Sequence, residues 1–195
     1  MTWSEMALVV LGALAVGLLL AWRGAYRVDR LHRKVAASRI ALDAQLVRRA
    51  SSAVELAASG TLDPASAVLV ADAAYTASDA GPVTSPAAAL KMDGLGPARE
   101  RAESGLTATL REAMGGPEAV RALLEGPAGE VVTGLADAWY RATLARRFHN
   151  EAVAQARRVR RLWYVRLFWL AGRTPMPRTV ELDDALPHAL EPSGG

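Results

Sequence analysis

The chain contains no cysteine, which excludes disulfide staples and thiolate metal sites. A reducing compartment fits that absence without being required by it. Histidine is scarce too. His32, His149 and His188 are the only three, with no HExxH or related spacing, so the convergent ligand set of a zinc site is out of reach. Aromatics make up 6 % of the residues, and most of them fall between Trp139 and Trp169. Runs of β-branched residues are rare and no segment alternates apolar with polar, so nothing suggests a sheet. Proline and glycine are missing from Tyr26 to Ser59, and alanine is abundant. Together these features predict an all-α fold.

The chain is richest in apolar residues at its start. The run Met6 to Trp22 is uncharged over about 17 residues, and about 20 counted from Trp3, enough to cross a ~30 Å hydrocarbon slab at ~1.5 Å per residue. Trp3 and Trp22 stand at its two edges, where indoles favour a membrane interface, and Glu5 lies near enough to one end to reach the headgroups. Two rival readings fit less well. Helices buried on all sides of small proteins are usually shorter, and a cleaved secretory leader would need a basic start and a small-x-small site before Arg23. Arg23, Arg27, Arg30, Arg33 and Lys34 follow the run while only Glu5 precedes it. The positive-inside bias therefore predicts a single-pass cell-membrane protein with its N-terminus out and its body in the cytoplasm. The expected organisation is an anchor over 1–25, a cytoplasmic helical bundle over 26–174 and a flexible, proline-containing acidic tail over 175–195.

Beyond the anchor, Val28, Leu31, Val35, Leu42, Leu46, Ala50, Ala53 and Ala57 recur at helical spacing, which predicts one rod reaching Gly60, about 50 Å past the anchor. Asp63 and Pro64 should open a second helix with Val68, Ala71 and Tyr75 on its buried side. The turn formers from Ala80 to Pro97 predict a loop, with one helical turn begun by Ser85 and Pro86. A third helix fits Ala98 to Met114, burying Ala98, Ala102, Leu106, Leu110 and Ala113, and a short one fits Pro117 to Glu125. The last helix carries the most regular pattern. Val131, Leu135, Ala138, Ala142, Ala145, His149, Ala152, Ala156, Val159 and Trp163 alternate in steps of four and three, the seam of a coiled coil, and the helix should run on to Gly172. Its alanines invite close approach by the equally alanine-rich first rod, so the two long helices should pair as an antiparallel hairpin.

Charge is graded along that hairpin. Residues 23–49 carry roughly +6 (eight basic, two acidic) and 141–173 roughly +8 (nine basic, one acidic), whereas the stretch between them carries about −7 (five basic, twelve acidic). The hairpin would place both basic ends against the bilayer, where each cation gains about 1 kcal/mol from an anionic leaflet. Arg23, Arg27, Arg30, Arg157, Arg158, Arg160, Arg161, Trp163 and Trp169 are therefore the candidate membrane-surface contacts. Plain packing would also account for the mixture of arginines and aromatics from Arg157 to Gly172. Nucleic acid is the weakest of the three readings, although its phosphates would attract the same arginines. No residue makes a convincing catalytic element. His149 reads as a seam histidine bonded to a neighbour. Ser51 and Ser52 lack a GxSxG context, and Gly94 and Gly96 lack the strand and motif of a phosphate loop.

Two segments carry a resemblance. LDAQLVRR, from Leu42 to Arg49, and ARRFHNEAVAQARR, from Ala145 to Arg158, resemble elements of the LemA family of bacterial membrane-anchored helical proteins. The first places Asp43, Gln45, Leu46, Arg48 and Arg49 on the family's Asp-x-Gln-Leu-x-Arg-Arg run. The second places Arg146, Arg147, Asn150, Glu151, Ala152 and Val153 on its Arg-Arg-x-x-Asn-x-x-Val element, with His149 where the family often has tyrosine. VRLFWLAGRTPMP and RAESGLTATLREAM are similar to further family segments in the same order. After the paired arginines the family's Asp-Leu-Ile-Pro-Asn-Leu is replaced by Ala50 to Leu56, so its proline kink is missing and a straighter first helix is expected. The resemblance implies an antiparallel bundle behind an N-terminal anchor, with no enzymatic activity or cofactor established for the family, and none is expected here. The expected role is a non-catalytic interaction or scaffold protein at the membrane. Its expected partners are membrane lipid, a membrane or cytoplasmic protein, and a second copy of itself. A basic, aromatic C-terminal helix that binds or remodels anionic lipid is the alternative.

Overall fold

The structure, a computed structural model, describes residues 2–81, 90–172 and 174–190. Regular structure among them is entirely helical. Helix α1 spans Trp3–Ala58, unbroken for 56 residues. Thr2 caps it, its hydroxyl accepting the Glu5 N–H at 3.4 Å while the Glu5 carboxylate accepts the Thr2 N–H at 2.9 Å. This reciprocal box satisfies two N–H groups that a helix start otherwise leaves bare. At the far end Gly60 takes φ +74, a conformation that costs glycine little, and the chain turns. Asp63 then caps α2, Pro64–Asp79, by accepting the N–H groups of Ala65 and Ser66. Helices α3 (Pro97–Met114) and α4 (Pro117–Glu125) each begin at a proline, whose missing N–H is no loss in a first turn. The long helix α5 covers Gly129–Arg160, α6 covers Trp163–Leu167, and a 3₁₀ turn at His188–Leu190 ends the described chain.

The two long helices form the body of the molecule. Along α1, Val28 clusters with Val159, Val35 with Ala152 and Ala156, Leu42 and Leu46 with Ala142, and Ala53 with Val132 and Leu135, so ascending α1 means descending α5. At the end remote from the apolar segment, α2, α3 and α4 close over this pair. Leu56, Val70, Ala74, Leu106, Leu110, Met114, Val120 and Trp139 share the largest core there. Each buried leucine or methionine contributes about 1.5–3 kcal/mol, so most of the hydrophobic stabilisation sits at that end. A two-helix stretch nearer the apolar segment cannot cover its own seam. Met92, Leu95 and Val180 fill it instead.

That arrangement corrects the expectation of a loose tail from residue 175. Residues 174–190 lie along the bundle as a strap: Val180 and Leu190 are buried, and Asp184 is only 7 % exposed. The tail's acidity and prolines suggested disorder, but its few apolar residues meet a seam that needs covering. The last helix also ends earlier than expected. It stops at Arg160, the chain turns through Arg161 and Leu162, and Trp163 leaves the seam for solvent at 69 % exposure. Helix α2 presents a different face from the one expected. Val70, Ala74 and Ala77 are buried in α2, whereas Val68 and Tyr75 are exposed, because this helix is apolar nearly all round and periodicity alone does not choose its inner side. In α3, Leu106 and Leu110 are buried and Ala102 and Ala113 partly so, as expected, whereas Ala98 is exposed and Arg99, Glu103 and Thr107 are buried beside them. In α5, Val132 takes the buried place expected of Val131, and Trp139 joins the core. The turn expected at Ser85 and Pro86 lies outside the described residues, as do Arg173 and the last five residues of the tail.

Candidate functional site

Two clusters of charge stand out, one at the surface and one inside. The surface cluster sits where the apolar segment of α1 gives way to the bundle. Within the apolar segment no residue of the most hydrophobic window is buried, and the helix is long and apolar enough to cross a membrane. Arg23, Arg27 and Arg30 follow on consecutive turns, and Asp29 pairs with Arg33. From the other side, residues 161–172 fold back onto α1 at Gly24. A Cβ there would come within 2.5 Å of the Leu170 side chain and 3.2 Å of Tyr164. Val28, Val159 and Val165 pin the contact. Trp163 and Trp169, at 69 % and 80 % exposure, project with Leu167 and Phe168 from the returning segment.

The candidate surface arginines divide into two groups. Arg157 donates to the Pro177 carbonyl at 2.8 Å, and Arg160 to those of Thr174 and Pro175 at 2.7 and 2.6 Å. Both were expected to face lipid. Instead they tie the strap to α5, because backbone carbonyls of an extended segment are acceptors that a guanidinium fork fits well. Arg158 and Arg161 are exposed, as are Arg23, Arg27 and Arg30. His32 lies beneath this collar. Burial, and then the charge of Arg160, holds its imidazole below its ordinary pKa, with Asp29 pulling the other way.

The interior cluster gathers four of the residues singled out by the resemblance, Asp43, Arg49, Arg146 and Asn150. Arg49 is fully buried, and its guanidinium donates to the Glu103 carboxylate at 2.6 Å, the Glu103 carbonyl at 3.0 Å and the Thr107 hydroxyl at 3.0 Å. Glu103 accepts a second cation, Arg99 Nε, at 2.8 Å, and Arg99 lies 3.8 Å from Asp43. Two arginines and two carboxylates thus offset one another in the α1–α3 interface. The Trp139 ring faces Arg49 at 5.6 Å, and its indole N–H donates to the Asp184 carbonyl at 3.0 Å. From there the polar spine passes into the strap. Arg146 grips the Asp184 carboxylate through two bonds of 2.6 and 2.7 Å, and Asn150 exchanges two bonds with the Val180 backbone. Leu46 and Val153 are core residues, and Gln45 is half-buried. Arg48 and Arg147 of the same motifs point outward and belong to no part of this network.

The chemistry open to these groups is narrow. Both oxygens of Glu103 are taken by guanidinium groups, and arginine does not shuttle protons near neutral pH. Ser38 Oγ lies 3.0 Å from His149 Nδ1, the spacing of a nucleophile and its base. The same hydroxyl also lies 2.9 Å from the Val35 carbonyl, the local backbone acceptor that a helical serine commonly uses. Burial, aided by the charge of Arg39, lowers the His149 pKa to about 4. Gly94 and Gly96 serve the turn into α3, with φ +69 and +87, and Gly94 lets the strap carbonyl of Thr179 pass close by.

At its coarsest, then, the chain is an all-helical protein built on two long helices, one of which carries an apolar segment long enough to cross a membrane. No family model, curated protein or solved structure matches it.

Proposed function

We propose that this protein is a single-pass membrane protein whose antiparallel, LemA-like helical bundle serves as a non-catalytic interaction or scaffold module at the inner face of the membrane. The observation that carries this reading is the exposed apolar first third of α1, running without a break into a bundle ringed with unneutralised arginines at the junction. An apolar surface of that extent is far larger than soluble monomers tolerate. The charge asymmetry supports an N-terminus outside and a body inside.

Because the chain lacks cysteine, topology can be read with single introduced thiols. In intact cells, Ser4→Cys should react with a membrane-impermeant maleimide and Ser59→Cys should react only after lysis. The full chain should also stay in the pellet after carbonate extraction. Release into the supernatant would end the membrane reading, and the reverse labelling pattern would end the orientation. Crosslinking in native membranes that recovers neither a partner protein nor a second copy would remove the scaffold role.

A second reading, surface binding to anionic lipid through the C-terminal basic aromatic segment, is favoured by the exposure of Trp163 and Trp169 beside Arg161 and Arg166. Indoles and arginines at one edge suit the headgroup layer.

A further inference from the structure

We propose that the cleft at the junction of the apolar segment and the bundle is a headgroup site for one anionic phospholipid; this rests on the membrane reading above. The cleft encloses ≈ 830 Å³, within the ~300–1,000 Å³ typical of small-molecule sites. Its lining is amphipathic in the order a lipid requires. Leu20 and Trp22 stand on the side of the apolar segment, and Arg23, Arg27, Arg30 and Arg158 on the side of the bundle.

The four arginines come from two helices and converge on one space. Arg23, Arg27 and Arg30 are spaced by four and three and share a face of α1, while Arg158 approaches from α5. Their charge is uncompensated. Asp29 is the only carboxylate between Met6 and Leu42, and it is held by Arg33. On α5, Glu151 accepts from Gln155 at 2.9 Å, and no further acidic residue occurs before Glu181. Among the described residues none of the four has an ion pair. Guanidinium groups bind phosphate through paired, charge-assisted bonds, and they repel the choline of a zwitterionic headgroup. The ligand class is therefore a phosphodiester with a neutral or anionic head, its acyl chain lying along Leu20 and Trp22. Tyr164 forms the far wall, and it comes that close to α1 because position 24 has no side chain.

The test uses the full chain purified in a neutral detergent, with native mass spectrometry counting retained lipid during titration with phosphatidylglycerol or phosphatidylcholine. One phosphatidylglycerol per chain should be retained, with phosphatidylcholine at least tenfold weaker. R27Q and R158Q should each weaken phosphatidylglycerol about tenfold, while R147Q, an exposed arginine elsewhere, should leave it unchanged. Circular dichroism of each variant checks that the helices persist. Glycerol phosphate, which lacks acyl chains, should compete only at concentrations at least a hundredfold higher. Equal retention of both lipids, insensitivity to R27Q and R158Q, or equal competition by glycerol phosphate would overturn the proposal. So would preferential capture of an oligonucleotide. Carbonate extraction separates the two readings. A chain that resists extraction but retains no phosphatidylglycerol refutes the cleft alone, whereas a chain that is extracted refutes the membrane reading on which the cleft depends.

Discussion

Glu103 holds two guanidinium groups in an interior that water does not reach. Removing its charge leaves Arg49 without its carboxylate and Arg99 with Asp43 at 3.8 Å, so E103Q should destabilise the full chain by about 3–5 kcal/mol in denaturant unfolding. The exposed pair Arg121–Glu118 is the contrast, and E118Q should change stability by less than about 0.5 kcal/mol. His149 gives a pH dependence. Its folded pKa of about 4 lies below its ordinary 6.5, so folding favours the neutral ring. That stability is fully present above pH 6.5 and declines as the pH falls toward 4, by about 2 kcal/mol at pH 5. Thermal unfolding at pH 7.5 and pH 5 should show the loss, and H149Q should shrink it. His32, whose pKa is also lowered, leaves a smaller slope of the same sign. Asp43, Arg49, Arg146 and Asn150 were singled out by the resemblance, which also covered the segment carrying Glu103, but nothing in it paired them, and Asp184 was not singled out. Nothing in local spacing says which of twenty acidic residues a buried arginine will meet.

Among the elements, helix starts were the most legible feature, whereas the stop expected at Gly172 fell at Arg160. Pro64, Pro97 and Pro117 open helices, and the bounds of α4 coincide with those expected from its flanking Gly-Pro pairs. The Thr2-to-Glu5 pair, a threonine three residues ahead of a glutamate, forms a capping box and gives Glu5 a local task. The inner face of α2 was not legible, since alanine marks a buried and an exposed turn alike. The strap was the largest surprise. Its hold rests on long-range polar contacts, above all the Arg146–Asp184 fork and the Asn150 exchange with Val180. D184N should loosen it without unfolding the helices. Limited trypsin cleavage after the exposed Arg178 should then accelerate about ten- to a hundredfold, as expected for losing a charge-assisted pair of bonds, with the circular dichroism unchanged. A cleavage rate equal to the parent's would mean that Val180 and Leu190 hold the strap by packing alone.

For the molecule as a whole, the sequence made the architecture readable because its strongest signals are long ones: an uncharged opening run, a rod without helix breakers and a seam of small residues. The closing of that seam by a non-helical segment was unreadable, since it follows from geometry that exists only once the two helices lie together. The continuity of α1 carries one more consequence. If its opening segment sits in a bilayer as proposed, membrane and bundle share a single lever some 50 Å long on the bundle side. A change in bilayer thickness that tips the segment by about 10° would swing the Gly60 end through roughly 9 Å. The far tip would then work as a pointer, converting the state of the lipid below into a position that another protein can read.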